Sequence, residues 1–168
     1  MNIQNMHVYD ILKMLAPTVQ SYLGIGVQEG ECVRGLVSIN PSVDLILCDT
    51  WGPHHGGTNR GSEKHIEEML NNHLHTGTRA YLNGSSQKLI PHLTTFVDMA
   101  FVDGDHQEQP AYEDLINTWP LVEHWMVVHD TQMPSVLRAL HRFIEYNHLS
   151  MSQMSISTNG SGTWVIQR

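Results

Sequence analysis

Tyr22-Leu23-Gly24-Ile25-Gly26-Val27-Gln28-Glu29-Gly30 is a short apolar run that breaks into three spaced glycines. Glycine carries no Cβ, so a chain leaving a strand here can turn tightly, approach a ligand with its backbone and leave the amino end of the next helix open. A turn of this kind is also what any strand needs in order to pack a helix against itself, so the glycines alone decide little. Asp49 ends the following apolar run. It follows Gly26 at close to the roughly 20-residue offset at which an acidic side chain reaches a ribose hydroxyl. The pair predicts a nucleoside-bearing ligand, held by backbone at Gly24, Gly26 and Gly30 and by Asp49 at the ribose. Trp51, two residues further on, is placed to cover the nucleoside face or to pack the strand end.

Working outward, strand-like and helix-like stretches alternate along the chain. Residues 19–24, 43–48, 79–82, 97–102 and 125–128 are apolar runs ended by Gly, Asp or His, as buried parallel strands are. The clearest helix follows Pro134, where Val136, Leu137, Leu140, Phe143 and Ile144 form one apolar stripe. A second helix is expected over 112–119. Met151, Met154 and Ile156 before Asn159-Gly160-Ser161-Gly162, with Trp164 and Ile166 after it, read as a closing hairpin. The predicted fold is α/β, with a mostly parallel sheet, helices on both faces and an antiparallel end. Residues 52–62 form a long Gly-rich loop after the second strand, the usual place for a lid.

The chain has 168 residues with 9 Lys plus Arg against 17 Asp plus Glu, a net charge of −8. That length favours one domain over 1–168. The acidic balance and the absence of any basic run argue against nucleic acid as a partner. No stretch approaches the roughly 18 apolar residues of a membrane span, and nothing at the amino terminus resembles a secretion signal. Two cysteines, Cys32 and Cys48, make no disulfide framework and no metal-spaced cluster, so a cytoplasmic location is expected. A homodimer is compatible with the composition. Of the twelve histidines, His54 and His55 fall in the expected lid, whereas His65, His73 and His75 are expected on a helix surface.

Asp103, Asp105 and His106 end one predicted strand, and His129 and Asp130 end its expected neighbour. Both sets then project at the sheet edge where open α/β folds bind ligands.

Two further stretches carry a family resemblance. Gly84-Ser85-Ser86-Gln87, followed by Leu89-Ile90-Pro91 and Leu93, is similar to the segment after the third strand of class I S-adenosylmethionine-dependent methyltransferases. Val97 to Val102 followed by Asp103-Gly104-Asp105-His106, with Asp114-Leu115 beyond, resembles the fourth strand and Asp-Gly-Asp-His signature of bacterial small-molecule members. The chain thus looks like a small-molecule O-methyltransferase related to the catechol-type enzymes, over about residues 22–130.

That resemblance implies a Rossmann-like seven-stranded sheet whose last strand is antiparallel. It implies S-adenosylmethionine as cofactor, with Ser86 and Gln87 at the adenine and Asp103 beside the reacting group. It further implies Asp103, His129 and Asp130 as ligands of a divalent metal, magnesium, manganese or zinc, and His106 at the position of the catalytic base. The expected reaction is O-methylation of a small hydroxylated substrate, with metal-free relatives sharing the outline. The family's acidic residue at the position of Gly24 is absent, and Glu123-His124 replaces its Gly-Gly before the fifth strand. Two rivals remain at this level: a nucleotide-linked oxidoreductase using the same turn and Asp49, and a binding protein that keeps the cofactor fold without turnover.

Overall fold

A computed structural model of the chain describes residues 1–52 and 61–168. Most of the expected lid, including His54 and His55, lies outside the described residues. The strands are β1 Ser21–Ile25, β2 Asp44–Asp49, β3 Arg79–Asn83, β4 Val97–Val102, β5 Val122–His129, β6 Met154–Ser157 and β7 Thr163–Gln167. They form one sheet in the order β3-β2-β1-β4-β5-β7-β6. β1 to β5 pair in parallel, whereas β7 runs antiparallel to β5 and to β6. This is the Rossmann-like methyltransferase sheet that the sequence predicts. The strand order reverses at β1 and β4, so the carboxyl ends of those strands open a crevice.

The helices are α1 Val8–Leu15, α2 Glu31–Val37, α3 Glu63–Asn72, α4 Ser86–Leu89, α5 Glu108–Thr118 and α6 Pro134–Tyr146. Side chains alternate across a strand, and the two faces accordingly build two cores. Tyr22, Leu45, Leu47, Met99, Phe101 and Val127 pack with Val8, Ile11, Leu12 and Leu15 of α1 and with residues of α2 and α3. Leu23, Ile25, Ala100, Val102, Met126 and Val128 pack with Leu115 of α5 and Val136, Leu140 and Phe143 of α6. Each fully buried aliphatic side chain contributes about 1.5–3 kcal/mol. Together they fix the strand ends on which the site stands. Among the described residues no helix is long and apolar enough to cross a membrane.

The structure corrects several boundaries. β1 starts at Ser21 rather than at 19, because a 3-10 turn over Ala16–Thr18 runs up to it and the Gln20 and Ser21 amides donate to the Asp98 carboxylate. β5 begins at Val122; the exposed Glu123 and His124 broke the apolar run from which it was read. α5 begins at Glu108 rather than at 112, since its first turn, Glu108-Gln109-Pro110, carries no apolar stripe. Met151 lies in a 3-10 turn before β6 and not in the hairpin. Helix α1 was not anticipated, although its buried residues Val8, Ile11, Leu12 and Leu15 have helical spacing. The leading residues cover the outer edge of β6: Ser155 Oγ donates to the Met1 carbonyl, Ser157 Oγ to that of Met6 and the Thr158 amide to that of Gln4.

His75 is likewise not a surface residue. It is buried, with Nε2 2.7 Å from the Val43 carbonyl oxygen and Nδ1 accepting from Arg79 Nε at 3.0 Å. A backbone carbonyl has only lone pairs to offer, so the proton sits on Nε2.

Candidate active site

The glycine turn and the end of β4 are built against each other. Gly26 has φ +77°, a left-handed conformation, and a Cβ there would collide with the carbonyl oxygen of Asp103. The Gly26 amide donates to Cys48 at the end of β2, and the Asp103 amide donates to Ile25 in β1. Gly30, φ +78°, precedes the first residue of α2. Only glycine meets both demands at Gly26, close approach and positive φ. Gly24, by contrast, sits inside β1 with no such strain.

Tyr22 explains what has taken the place of an acidic residue there. It lies two residues before Gly24, hence on the same face of the strand. A Cβ on Gly24 would stand 2.9 Å from Cε1 and 3.3 Å from the hydroxyl of Tyr22. The buried Tyr22 ring fills that space, and burial raises its phenol pKa well above the ordinary value.

Asp49 turns back onto the glycine turn. Its Oδ2 accepts from the amides of Val27 at 2.7 Å and Gln28 at 2.9 Å, and its Oδ1 accepts from the Trp51 amide at 2.8 Å. Gln28 and Trp51 both hold φ +50°, a conformation that costs a non-glycine residue energy and that clusters at functional sites. Trp51 packs partly buried against the core of the α1 side, and its Nε1–H has no hydrogen-bond partner among the described residues. The two features together fit a nucleoside: a carboxylate at the turn and an unspent buried donor next to it.

After β3, Ser86 and Gln87 open α4. Both turn inward to Asp114 of α5, whose Oδ1 accepts from Ser86 Oγ at 2.6 Å and from Gln87 Nε2 at 2.8 Å. Ser85 Oγ occupies the other end of the Gln87 carboxamide, at 2.6 Å from Oε1. Burial pushes the Asp114 carboxyl up to about 7, against the two hydrogen bonds that favour its charged form.

Asp103, His106, His129 and Asp130 converge at the ends of β4 and β5. His106 Nε2 lies 2.9 Å from Asp130 Oδ2 and 3.6 Å from Asp103 Oδ1. His129 Nδ1 lies 3.2 Å from Asp103 Oδ1 and 3.3 Å from Asp130 Oδ1. These ring nitrogens are close to the carboxylates but do not meet hydrogen-bond geometry with them, which makes the contacts ion pairs rather than aligned bonds. Asp105 accepts from the Gln107 amide at the start of α5.

The electrostatics follow from two anions facing two imidazoles. Asp103 and then Asp130 hold the proton on His106 and push its pKa up to about 10. Burial works against the charged form of His129, but Asp103 and Asp130 outweigh it and the pKa is raised. Burial would raise the Asp130 carboxyl, yet His106, Ser161 and His129 bring it down to about 2. As the site stands, His106 at neutral pH is an imidazolium and cannot accept a proton.

The donor set also fits a divalent cation. One ligand atom each from Asp103, His129 and Asp130 lie within 4.8 Å of one another, and ligand–metal distances near 2.0–2.2 Å demand such proximity. Two carboxylates with one imidazole suit manganese or zinc better than magnesium. The second nitrogen of His129 is 3.2 Å from Ser161 Oγ, an outer partner that fixes the ring's orientation.

Three contributors to this site were missed in the sequence. Ser161 arrives on the β6–β7 turn because the Gln132 amide donates to its carbonyl. Ser135, in the first turn of α6, donates through Oγ to the His106 carbonyl at 2.6 Å. Asp114 was read for its distance from the Asp-Gly-Asp-His signature and not for its grip on Ser86 and Gln87. The cysteines stay outside the chemistry. Both are free thiols, and burial raises Cys32 and pushes Cys48 up to about 12.

Comparison with known proteins gives the family and the fold. The model of a family described as "Methyltransferase domain" matches residues 23–131, well over half of the chain. No curated protein sequence matches the chain. Among solved structures, the O-methyltransferase NovP shares 15% identity at a TM-score of 0.74, covering 95% of this chain and 78% of that one. CalS11, a TDP-rhamnose 3′-O-methyltransferase of calicheamicin biosynthesis, shares 14% identity at 0.69, covering 95% and 76%. TomG, an O-methyltransferase from Streptomyces achromogenes solved with S-adenosylmethionine, shares 17% identity at 0.67, covering 95% and 78%. At these identities the likeness shows the fold, whereas the family match covers the glycine turn, Asp49, the Ser86-Gln87 segment and the Asp103–Asp130 cluster together. It decides against the oxidoreductase reading, and the chain belongs to the methyltransferase-domain family as a class I, S-adenosylmethionine-dependent enzyme.

Proposed function

We propose that residues 1–168 act as one domain that methylates a hydroxyl of a small molecule, with Asp103, His106, His129 and Asp130 as its reaction centre. The observation that carries this reading is the convergence of these four side chains at the β4 and β5 ends, next to the turn that Asp49 and Gly26 shape. S-adenosylmethionine, when bound, supplies an electrophilic sulfonium methyl. A divalent cation, when bound, lowers the pKa of an acceptor hydroxyl.

The protein's own part is placement and proton handling. Asp49 holds the ribose, with the backbone of Gly24, Gly26 and Gly30 alongside. Trp51 covers the adenosine, and Ser86 and Gln87 flank the adenine. Asp103, His129 and Asp130 carry the cation. Once those carboxylates face a cation, His106 loses the anions that hold its proton, and its imidazole returns toward the range in which a base works at neutral pH. With acceptor and S-adenosylmethionine bound, Nε2 of His106 would take the acceptor proton as the methyl passes from sulfur to that oxygen, leaving S-adenosylhomocysteine. Holding the reactants in line can supply about 7–11 kcal/mol of the barrier.

The test supplies S-adenosylmethionine with small hydroxylated acceptors and follows S-adenosylhomocysteine with and without chelator. Acceptor-dependent release that chelator abolishes is expected. Full release by both the Asp103→Ala and His106→Ala variants would overturn the proposed centre.

A further inference from the structure

We propose that Asp114 is a positioning residue for the adenosine end of the cofactor, tying the Ser86-Gln87 segment after β3 to the turn after β4. The proposal rests on the reading above that adenine lies against Ser86 and Gln87. Asp114 is 1% exposed, and its two oxygens are spent very differently. Oδ1 takes both donors, Ser86 Oγ and Gln87 Nε2. Oδ2 has no hydrogen-bond partner among the described residues and lies under Gly104, where a Cβ would come within 2.7 Å of it. Gly104 is the glycine between Asp103 and Asp105, so the same carboxylate that fixes α4 also dictates the absence of a side chain in the reaction-centre turn. A small, partly open pocket is lined by Asp114, Gly104, Asp103, His106 and His129 together.

A carboxyl at this depth is costly to bury, and Val102, Ala111, Leu115 and Val136 line the same pocket. A leucine would pack such a pocket more cheaply. What a leucine would not do is hold two polar side chains in one rotamer. With Ser85 closing its other end, the Gln87 carboxamide is fixed at both its oxygen and its nitrogen. A planar base entering between rigid walls loses less entropy than one that must order them, which is the value of such preorganisation.

The test is titration calorimetry with S-adenosylhomocysteine and with 5′-methylthioadenosine, which keeps the adenosine end and lacks the amino-acid end. Asp114→Leu, of similar volume, should weaken both ligands by the same factor, about tenfold, because Ser86 and Gln87 both lose their buried acceptor. Asp114→Asn keeps an acceptor oxygen and should stay within about threefold of the wild type, a rescue that volume or packing alone would not give. If Asp114→Leu does not fold, Ser86→Ala cuts the tie from its other end and should weaken both ligands several-fold. Wild-type binding with undiminished affinity in the folded Leu variant, or in Ser86→Ala where that variant is read, overturns the proposal alone. A wild-type protein that binds neither ligand overturns the cofactor reading and this proposal with it.

Discussion

Gly26 and Asp103 are joined so closely that no side chain fits between them: a Cβ on Gly26 would strike the Asp103 carbonyl oxygen, with φ at +77° besides. The glycine turn proposed for the cofactor and the first acid of the proposed reaction centre are therefore held directly against each other. Gly26→Ala should cost at least about 2 kcal/mol of stability, since positive-φ strain alone costs about 1–3 kcal/mol. It should also weaken S-adenosylhomocysteine. Denaturant midpoints and calorimetry check both effects; a variant with wild-type stability would show that the turn and β4 are not in contact.

Asp49 has a double load, because the carboxylate proposed for the ribose also accepts from Val27, Gln28 and Trp51. Asp49→Ala should weaken S-adenosylmethionine by about 1–3 kcal/mol, the cost of losing hydrogen bonds to a charged group. Thermal stability should fall as well, since three amides lose their acceptor. Unchanged affinity in calorimetry would remove Asp49 from the site.

How much of this was legible in the sequence depends on the range of the interaction. The β2, β3 and β4 runs, the glycine turn and the closing hairpin could be read because their signals are local: apolar runs, Gly spacing, Asn-Gly turns. The convergence of Asp103 and His106 with His129 and Asp130 followed from strand adjacency in a parallel sheet, whereas which histidine meets which carboxylate did not. What could not be read were the ties between distant side chains. Nothing in the spacing says that Ser86 and Gln87 point at Asp114, that Ser161 returns to His129, or that Tyr22 fills the space beside Gly24. Nor did the sequence show the charge state of His106, which is set by two carboxylates brought together only in the fold.

Stability should depend on pH through Asp114 in a defined window. Its carboxyl is raised to about 7 by burial, so the folded chain holds a proton that the unfolded chain, titrating near its ordinary value of about 4, has released. The stabilising share is present below about pH 4 and is lost as pH rises through 7. Denaturant midpoints should fall over that range in the wild type and less steeply in Asp114→Asn. Identical slopes would show that Asp114 is not protonated in the fold.

His106 extends the same fall to higher pH. Its pKa, raised to about 10 by Asp103 and Asp130, contributes stability that is complete below about pH 6.5 and disappears as pH rises through 10. His106→Ala should abolish that alkaline loss in the metal-free protein. With an acceptor in hand, the same variant should slow turnover about a hundredfold or more while cofactor affinity is kept, the pattern of a lost general base.

Manganese binding followed by electron paramagnetic resonance tests Asp103, His129 and Asp130 as a cation-holding reaction centre without knowledge of the acceptor. The wild-type protein should bind one manganese ion per chain, more tightly as pH rises because the ion displaces protons held by the imidazoles. Asp103→Ala and Asp130→Ala should each lose that ion while remaining folded. A wild-type chain that binds no manganese or other divalent ion, or variants that bind it as well as the wild type, would contradict the account.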